Sequence, residues 1–174
     1  MRKIPAVRFF ALALLLSALG ACAAPATRDG EIRVEGDVLR PRGWTAAEIE
    51  ARFPDRVRIV DHESHDGKVR LRGLPLAELV KDAGPALDDS RKNHELGFAI
   101  AVCATDGYTS VFTYDEVVPF RDAEPSVFLA FAEESGPLPE KFGPARLVLV
   151  GHEGGSRRMR AVDLVRVVDL ADRR

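Results

Sequence analysis

The stretch Lys68-Val69-Arg70-Leu71-Arg72-Gly73-Leu74-Pro75-Leu76-Ala77-Glu78-Leu79-Val80-Lys81-Asp82-Ala83-Gly84 carries the chain out of a strand and into a helix. Pro75 suits a first helical position, because the N–H that proline lacks has no intrahelical partner there. Gly84 suits the left-handed residue that follows a last helical turn. Just upstream, residues 57–60 and 68–71 read as a strand pair joined through the Asp66-Gly67 turn signal. A hairpin feeding directly into an amphipathic helix points to a mixed α and β domain.

The same reading extends in both directions. Glu31-Ile32-Arg33-Val34-Glu35-Gly36 alternates polar and apolar residues, the pattern of a half-buried strand. Thr45-Ala46-Ala47-Glu48 is a capping box that starts a short helix with Ile49 and Phe53 on its apolar side, and Pro54 ends it. Residues 85–95 are polar and read as loop. Leu96 to Ala104 is almost continuously apolar and predicts a strand covered on both faces. Asp106-Gly107 turns it back into residues 108–112, and Thr113-Tyr114-Asp115-Glu116 is a second capping box, good for one turn before Pro119. Residues 127–132 and 145–150 predict two more buried strands. The segment from Met159 to Leu170 stays open: its valines favour a strand, while Val162, Val165 and Val168 recur at near-helical spacing. Many short strands with a few small helices make an α+β fold, a single domain of mixed β-sheet with short helices over residues 31–174.

Residues 1–21 read as a secretory leader rather than as part of that domain. Arg2, Lys3 and Arg8 form a positive segment, Phe9 to Leu16 is unbroken apolar, and small residues follow. The apolar run is much shorter than the roughly 20 residues that a membrane span needs. Leu19-Gly20-Ala21-Cys22 resembles a bacterial lipobox, which predicts acylation of Cys22, a tether over residues 22–30 and a lipid anchor in the periplasm, with Ala23 favouring the outer membrane. The alternative is ordinary cleavage at Ala21-Cys22-Ala23, giving a soluble periplasmic protein. The net charge is −2, and removing the leader takes away only cations. An acidic domain with interspersed signs lacks the basic face that nucleic-acid binding requires. With Cys22 acylated, Cys103 has no partner in the chain for a disulfide.

Three phrases in fixed order carry a family likeness: Arg72-Gly73-Leu74-Pro75-Leu76, Asp106-Gly107-Tyr108 and Gly143-Pro144-Ala145-Arg146-Leu147-Val148. Together, over residues 31 to 170, they resemble the molybdopterin-binding domain of the sulfite oxidase family. The resemblance implies a fold built around a pterin-binding cleft, and a redox role in which a pterin-bound molybdenum transfers an oxygen atom. It also implies a cysteine thiolate on the metal, upstream of the Gly-x-Pro-Leu phrase. That stretch here, Val57-Arg58-Ile59-Val60-Asp61-His62-Glu63-Ser64-His65, contains no cysteine.

A molybdopterin would need donors for its phosphate and a polar cleft for its ring edges. Arg146, in the Gly-Pro-x-Arg-Leu-Val phrase, and the cluster Arg157, Arg158 and Arg160 could supply guanidinium forks. Gly154-Gly155-Ser156 could supply backbone N–H groups. Tyr108 brings an apolar ring with a polar tip to the cleft edge. A solvated basic hairpin is the plainer reading of the arginine cluster. For a metal the weak candidates are Cys103, His62 and His65. Cys103 is expected as a packed core thiol, and Asp61-His62-Glu63-Ser64-His65-Asp66 as a hydrophilic hairpin tip. His94 and His152 fall in predicted loops with no further pattern.

Two classes of function follow. One is an exported sulfite oxidase-like domain with a redox role but without the family's ligand cysteine. The other is a non-catalytic binding or structural module of the cell envelope that keeps the fold without the cofactor. No protein partner is readable from the sequence.

Overall fold

Alternation along the first strand turns Ile32 and Val34 inward, into the larger of two apolar clusters. The structure is a computed structural model that describes residues 29–64, 67–121, 123–151 and 157–171. The leader, Cys22, most of the tether, His65, His152 and Gly154-Gly155-Ser156 lie outside the described residues.

One sheet runs in the order β2-β1-β10-β5-β6, from β1 (Ile32–Gly36), β2 (Arg42–Trp44), β5 (Phe98–Ala104), β6 (Thr109–Thr113) and β10 (Val162–Asp169). β10 is its centre, parallel to β1 with Arg33 opposite Leu164, and antiparallel to β5 with Val165 opposite Val102. The ambiguous last segment is therefore a strand. Its valines have a ladder on both sides, which a near-helical recurrence of Val162, Val165 and Val168 cannot outweigh. A second sheet is formed by β3 (Arg58–Ser64), β4 (Gly67–Pro75) and β7 (Val127–Glu133), in that order. Different stretches of β7 then pair with β8 (Gly136–Pro137) and with β9 (Arg146–Leu149).

The helices form where the caps direct them. α1 (Ala46–Arg52) starts with the full capping box: the Thr45 hydroxyl accepts from the Glu48 N–H, and the Glu48 carboxylate accepts from the Thr45 N–H at 2.8 Å. α3 (Tyr114–Val117) repeats the device with Thr113 and Glu116. α2 (Leu76–Ala83) follows Pro75, which caps the helix one position earlier than the sequence suggests, and ends at Gly84 with φ 66°. It buries Leu76, Ala77, Leu79, Val80 and Ala83 between the sheets, against a core that includes Trp44, Ile100, Leu129, Leu147 and Val165. A smaller apolar cluster, Val60, Leu71, Phe128, Ala130 and Val148, lies on the other face of the second sheet. β7 is thus buried on both faces, as its apolar run suggests.

β5 is not. Phe98, Ile100, Val102 and Ala104 are buried, whereas Ala99, Ala101 and Cys103 are only half-buried on the opposite face. Small residues there make the run look continuously apolar without needing a second covering layer. Cys103 is accordingly not a core thiol; Thr109 donates its hydroxyl to the sulfur at 3.6 Å across the β5–β6 hairpin. His94 departs from its expected loop character in the other direction. It is buried, accepts at Nδ1 from the Asp88 N–H (2.8 Å) and so donates from Nε2 to Asp169 (2.9 Å). Burial works to raise the Asp169 carboxyl, but the Ala171 N–H and the His94 ring outweigh it and hold it below the usual carboxylate range. This pair fastens the loop before β5 to the end of β10.

Two glycines of the deciding phrases have steric reasons. Gly73 sits at the bulge where β4 meets β7, and a side chain there would press on the Leu129 carbonyl at 3.1 Å. Gly143 has φ 63°, and a Cβ would lie 2.6 Å from the Ala161 Cα. Both the left-handed backbone and the close approach exclude larger residues. Gly143→Ala should therefore lower stability by about 2–4 kcal/mol, read as a shift in the denaturant midpoint. An unchanged midpoint would contradict this account of the turn into β9.

Candidate functional site

The site begins with the parity of an edge strand. In β3, Ile59, Asp61 and Glu63 are exposed, while Val60 and His62 are buried, because alternate residues point to opposite faces. In β9 the same rule sends Leu147 to the main core and turns Arg146 and Val148 to the face that carries Val60 and His62. There the Arg146 guanidinium lies 2.6 Å from His62 Nε2 through its Nη2.

That contact requires a curled sheet. Arg146 is aligned through Ala130 and Gly73 with Arg58, and His62 lies four residues further along β3. On a flat sheet the two Cα atoms would be on the order of 20 Å apart, at about 4.8 Å per strand and 3.3 Å per residue. The two side chains cannot span that distance, so the sheet curls enough to bring Arg146 and His62 into contact.

The chemistry of the pair follows from arginine. A guanidinium donates and cannot accept, so Nε2 of His62 is the acceptor and the imidazole proton sits on Nδ1. Burial, the Arg146 charge and the Arg158 charge, in that order, push the His62 pKa down to about 4, so the ring is neutral at ordinary pH. His62 is 6% exposed and Arg146 8%. His62 Nδ1 and Arg146 Nε are buried and have no hydrogen-bond partner among the described residues. Arg146 stacks over Phe142, 4.2 Å from the ring centroid, and makes no ion pair with a carboxylate among the described residues. A buried cation is held by a neutral ring and an aromatic face, which leaves a demand for acceptors.

Above His62 runs a groove of about 680 Å³. Six consecutive residues of β3, Arg58 to Glu63, line one side, and Phe128, Leu149 and Val150 supply apolar surface across from them. Such a run of neighbours means that the groove follows the strand's edge. The Arg70 carbonyl, opposite Asp61, is turned to β7, where it accepts from Glu134 N–H, and the Glu63 carbonyl accepts from Arg158 at 3.2 Å. The backbone groups of Ile59, Asp61 and Glu63 therefore point to the open side of β3. Arg158 and Lys68 stand at the Glu63 end, and Arg58, paired with Glu124 at 2.9 Å, at the other.

The expected cofactor residues separate here. Arg146 lies beneath the groove and Arg158 on its wall. Arg157, next in sequence, turns the other way: it pairs with Glu116 at 2.9 Å, donates to the Val111 carbonyl and covers Phe112. That pairing, with the Thr113 bonds, holds the Glu116 carboxyl down at about 2. Tyr108 is half exposed on the β5–β6 turn, where Asp106 accepts from its N–H and Gly107 takes φ 86°. It shares a small depression of about 150 Å³ with Arg158, Met159 and Arg160. Cys103 stands in the other sheet. No group of His, Cys, Asp and Glu suited to holding a metal ion occurs among the described residues, and Asp61 and Glu63 leave His62 by strand parity. The buried role of His62 was readable from its step of two from Val60; the flanking carboxylates obscured it.

The order of the three phrases along the chain agrees with a comparison against known families. The model for the oxidoreductase molybdopterin binding domain matches residues 21–172. The chain belongs to that family. No curated protein matches it closely enough to add a relative. The mixed sheets with short helices are those of the sulfite oxidase-like molybdopterin-binding fold. The residues present fit part of such a cofactor. Arg158 and Lys68, on the groove's lining, suit phosphate or ring oxygens. The metal's demand for a thiolate is not met by the described lining, which includes no cysteine.

The depressed pKa of His62 has a measurable consequence. Between its ordinary value near 6.5 and about 4, the unfolded chain takes up a proton that the native ring refuses. Stability should fall as pH falls through that window, by on the order of 3 kcal/mol at the acid end. Denaturant midpoints of the protein and of His62→Gln, compared at each pH, should converge as the window is crossed. A constant difference between them would refute the buried neutral ring.

Proposed function

We propose that this chain is an exported, lipid-anchored ligand-binding domain that keeps the molybdopterin-binding fold and works without a thiolate-ligated molybdenum. The observation that carries the reading is the commitment of His62. In the segment where the family likeness seats the metal's cysteine, the inward side chain is a histidine whose Nε2 is already taken by Arg146. The lone described thiol, Cys103, stands on another sheet and bonds to Thr109. The groove itself supports a ligand role: its size is in the range of small-molecule sites, and it joins apolar wall with a few fixed donors.

Export and anchoring rest on the leader and on Leu19-Gly20-Ala21-Cys22. No helix of the described residues is long and apolar enough to cross a membrane, so an acyl chain on Cys22 would be what holds the domain to the envelope. The second reading is an oxidoreductase that binds molybdenum with other ligation, and the family match favours it.

Metal analysis separates the two. Protein purified from cells that make the cofactor should contain far less than one molybdenum per chain while remaining folded. A near-stoichiometric content would overturn the proposal and establish the redox reading.

A further inference from the structure

β3 ends its sheet with one side of its backbone unbonded. The N–H and C=O groups of Val60 and His62 face β4, whereas those of Ile59 and Asp61, with the Glu63 N–H, have no bond among the described residues. Arg158 closes the edge at one point, where it donates to the Glu63 carbonyl. A bare strand edge is a template for pairing with another extended chain. This one opens on the groove, whose lining follows it residue by residue from Arg58 to Glu63. An extended segment laid there would gain backbone bonds on one side and the apolar surface of Phe128, Leu149 and Val150 on the other.

The outer face of the same sheet specifies the chemistry of that segment. β4 sets Arg72, Arg70 and Lys68 opposite Ile59, Asp61 and Glu63. Arg72 is taken by Glu50 and Arg70 by Glu134, each at 2.9 Å. Asp61 keeps only a 3.9 Å approach to Arg70, with its side chain 86% exposed. Glu63 is exposed and makes no ion pair among the described residues. An acidic row is therefore left over at the rim of the sheet.

In an added antiparallel strand, the residues bonded to Ile59, Asp61 and Glu63 place their side chains on that same outer face. Basic side chains there would complete cross-strand pairs with Asp61 and Glu63. The residues between them would turn to the apolar side of the groove. The same row opposes a second copy of this chain, because two β3 edges brought together would add one acidic row to another.

We infer that the open edge of β3 is a strand-addition site for an extended partner segment that alternates basic and apolar residues. The inference rests on the preceding reading of the groove as a ligand site without thiolate-bound molybdenum, and it names the class of ligand. Arg158 sets the limit of the pairing, since it already occupies the Glu63 carbonyl.

The test uses the purified full chain, with a fluorescein-labelled peptide of alternating lysine and valine as probe. The protein should bind it, and should bind a peptide of alternating glutamate and valine at least tenfold more weakly. Backbone N-methylation distinguishes pairing from mere occupancy of the groove. Methylating one set of alternate amides in the probe should abolish binding, and methylating the other set should leave it within a few-fold. Ile59→Pro removes an outward N–H while sparing the ladder to β4, and should weaken binding tenfold or more. Asp61→Lys, at an exposed side chain, should reverse the preference between the two peptides. Should the proline variant fail to fold, hydrogen exchange of the unmodified protein still decides. The amides of Ile59, Asp61 and Glu63 should slow when the probe is added, while those of Val60 and His62 are slow throughout. No binding, equal effects of the two methylations, unslowed amides, or an unchanged preference in Asp61→Lys would overturn the inference and leave the preceding reading standing. Self-association of the protein alone that Ile59→Pro abolishes would put a second copy on the edge and overturn it as well. Stoichiometric molybdenum in the same protein would overturn the preceding reading itself, whatever the peptide does.

Discussion

A guanidinium has only donors, and hiding one under a β-sheet obliges the surrounding chain to provide what it faces. Arg146 meets that obligation with an imidazole nitrogen and the face of Phe142 rather than with a carboxylate. The choice has consequences in both directions. Towards the fold, it ties β9 to β3, the far edges of one sheet, and holds that sheet curled. Towards the site, it fixes the proton of His62 on Nδ1, in a ring that lies under the groove.

The rest of the domain supports this closure. The first sheet, with β10 at its centre, and helix α2 make a conventional apolar core on one side of β7. β7 is buried on its other face as well, by the small cluster that includes Val60 and Phe128. The curled sheet thus has an apolar floor leading up to the buried pair. Gly143, held tightly against Ala161, directs the chain into β9 and so sets where Arg146 starts. A second buried histidine shows how local the control of tautomer is. His94 receives an N–H at Nδ1 and gives its proton to Asp169, the reverse of His62.

Local signals were the legible part of this fold. Both capping boxes, the Asp106-Gly107 turn and the Gly-x-Pro-Leu passage from β4 into α2 each depend on neighbours within a few residues, and all form where their sequences indicate, with Pro75 at the cap of α2 rather than in its first turn. The family likeness was legible from three such passages taken together. What depends on distant partners was not. The last strand could be assigned only once β1 and β5 flanked it. Arg157 and Arg158 looked like one basic cluster, but the two side chains diverge, one to Glu116 and the other to the Glu63 carbonyl. His62 looked like part of an acidic tip because its neighbours in sequence are carboxylates, whereas its neighbours in space are Val60 and Arg146. The buried pair spans 84 residues, and no local pattern announces a contact at that range.

The account turns on one proton. Long-range proton–nitrogen NMR of the histidine side chains, assigned by removing each in turn, reads the tautomer of His62 directly. At neutral pH the ring should be neutral, with its proton on Nδ1 and Nε2 unprotonated against Arg146. A proton on Nε2, or a charged ring, would mean that Arg146 is not its donor, and the tie between β9 and β3 would not survive.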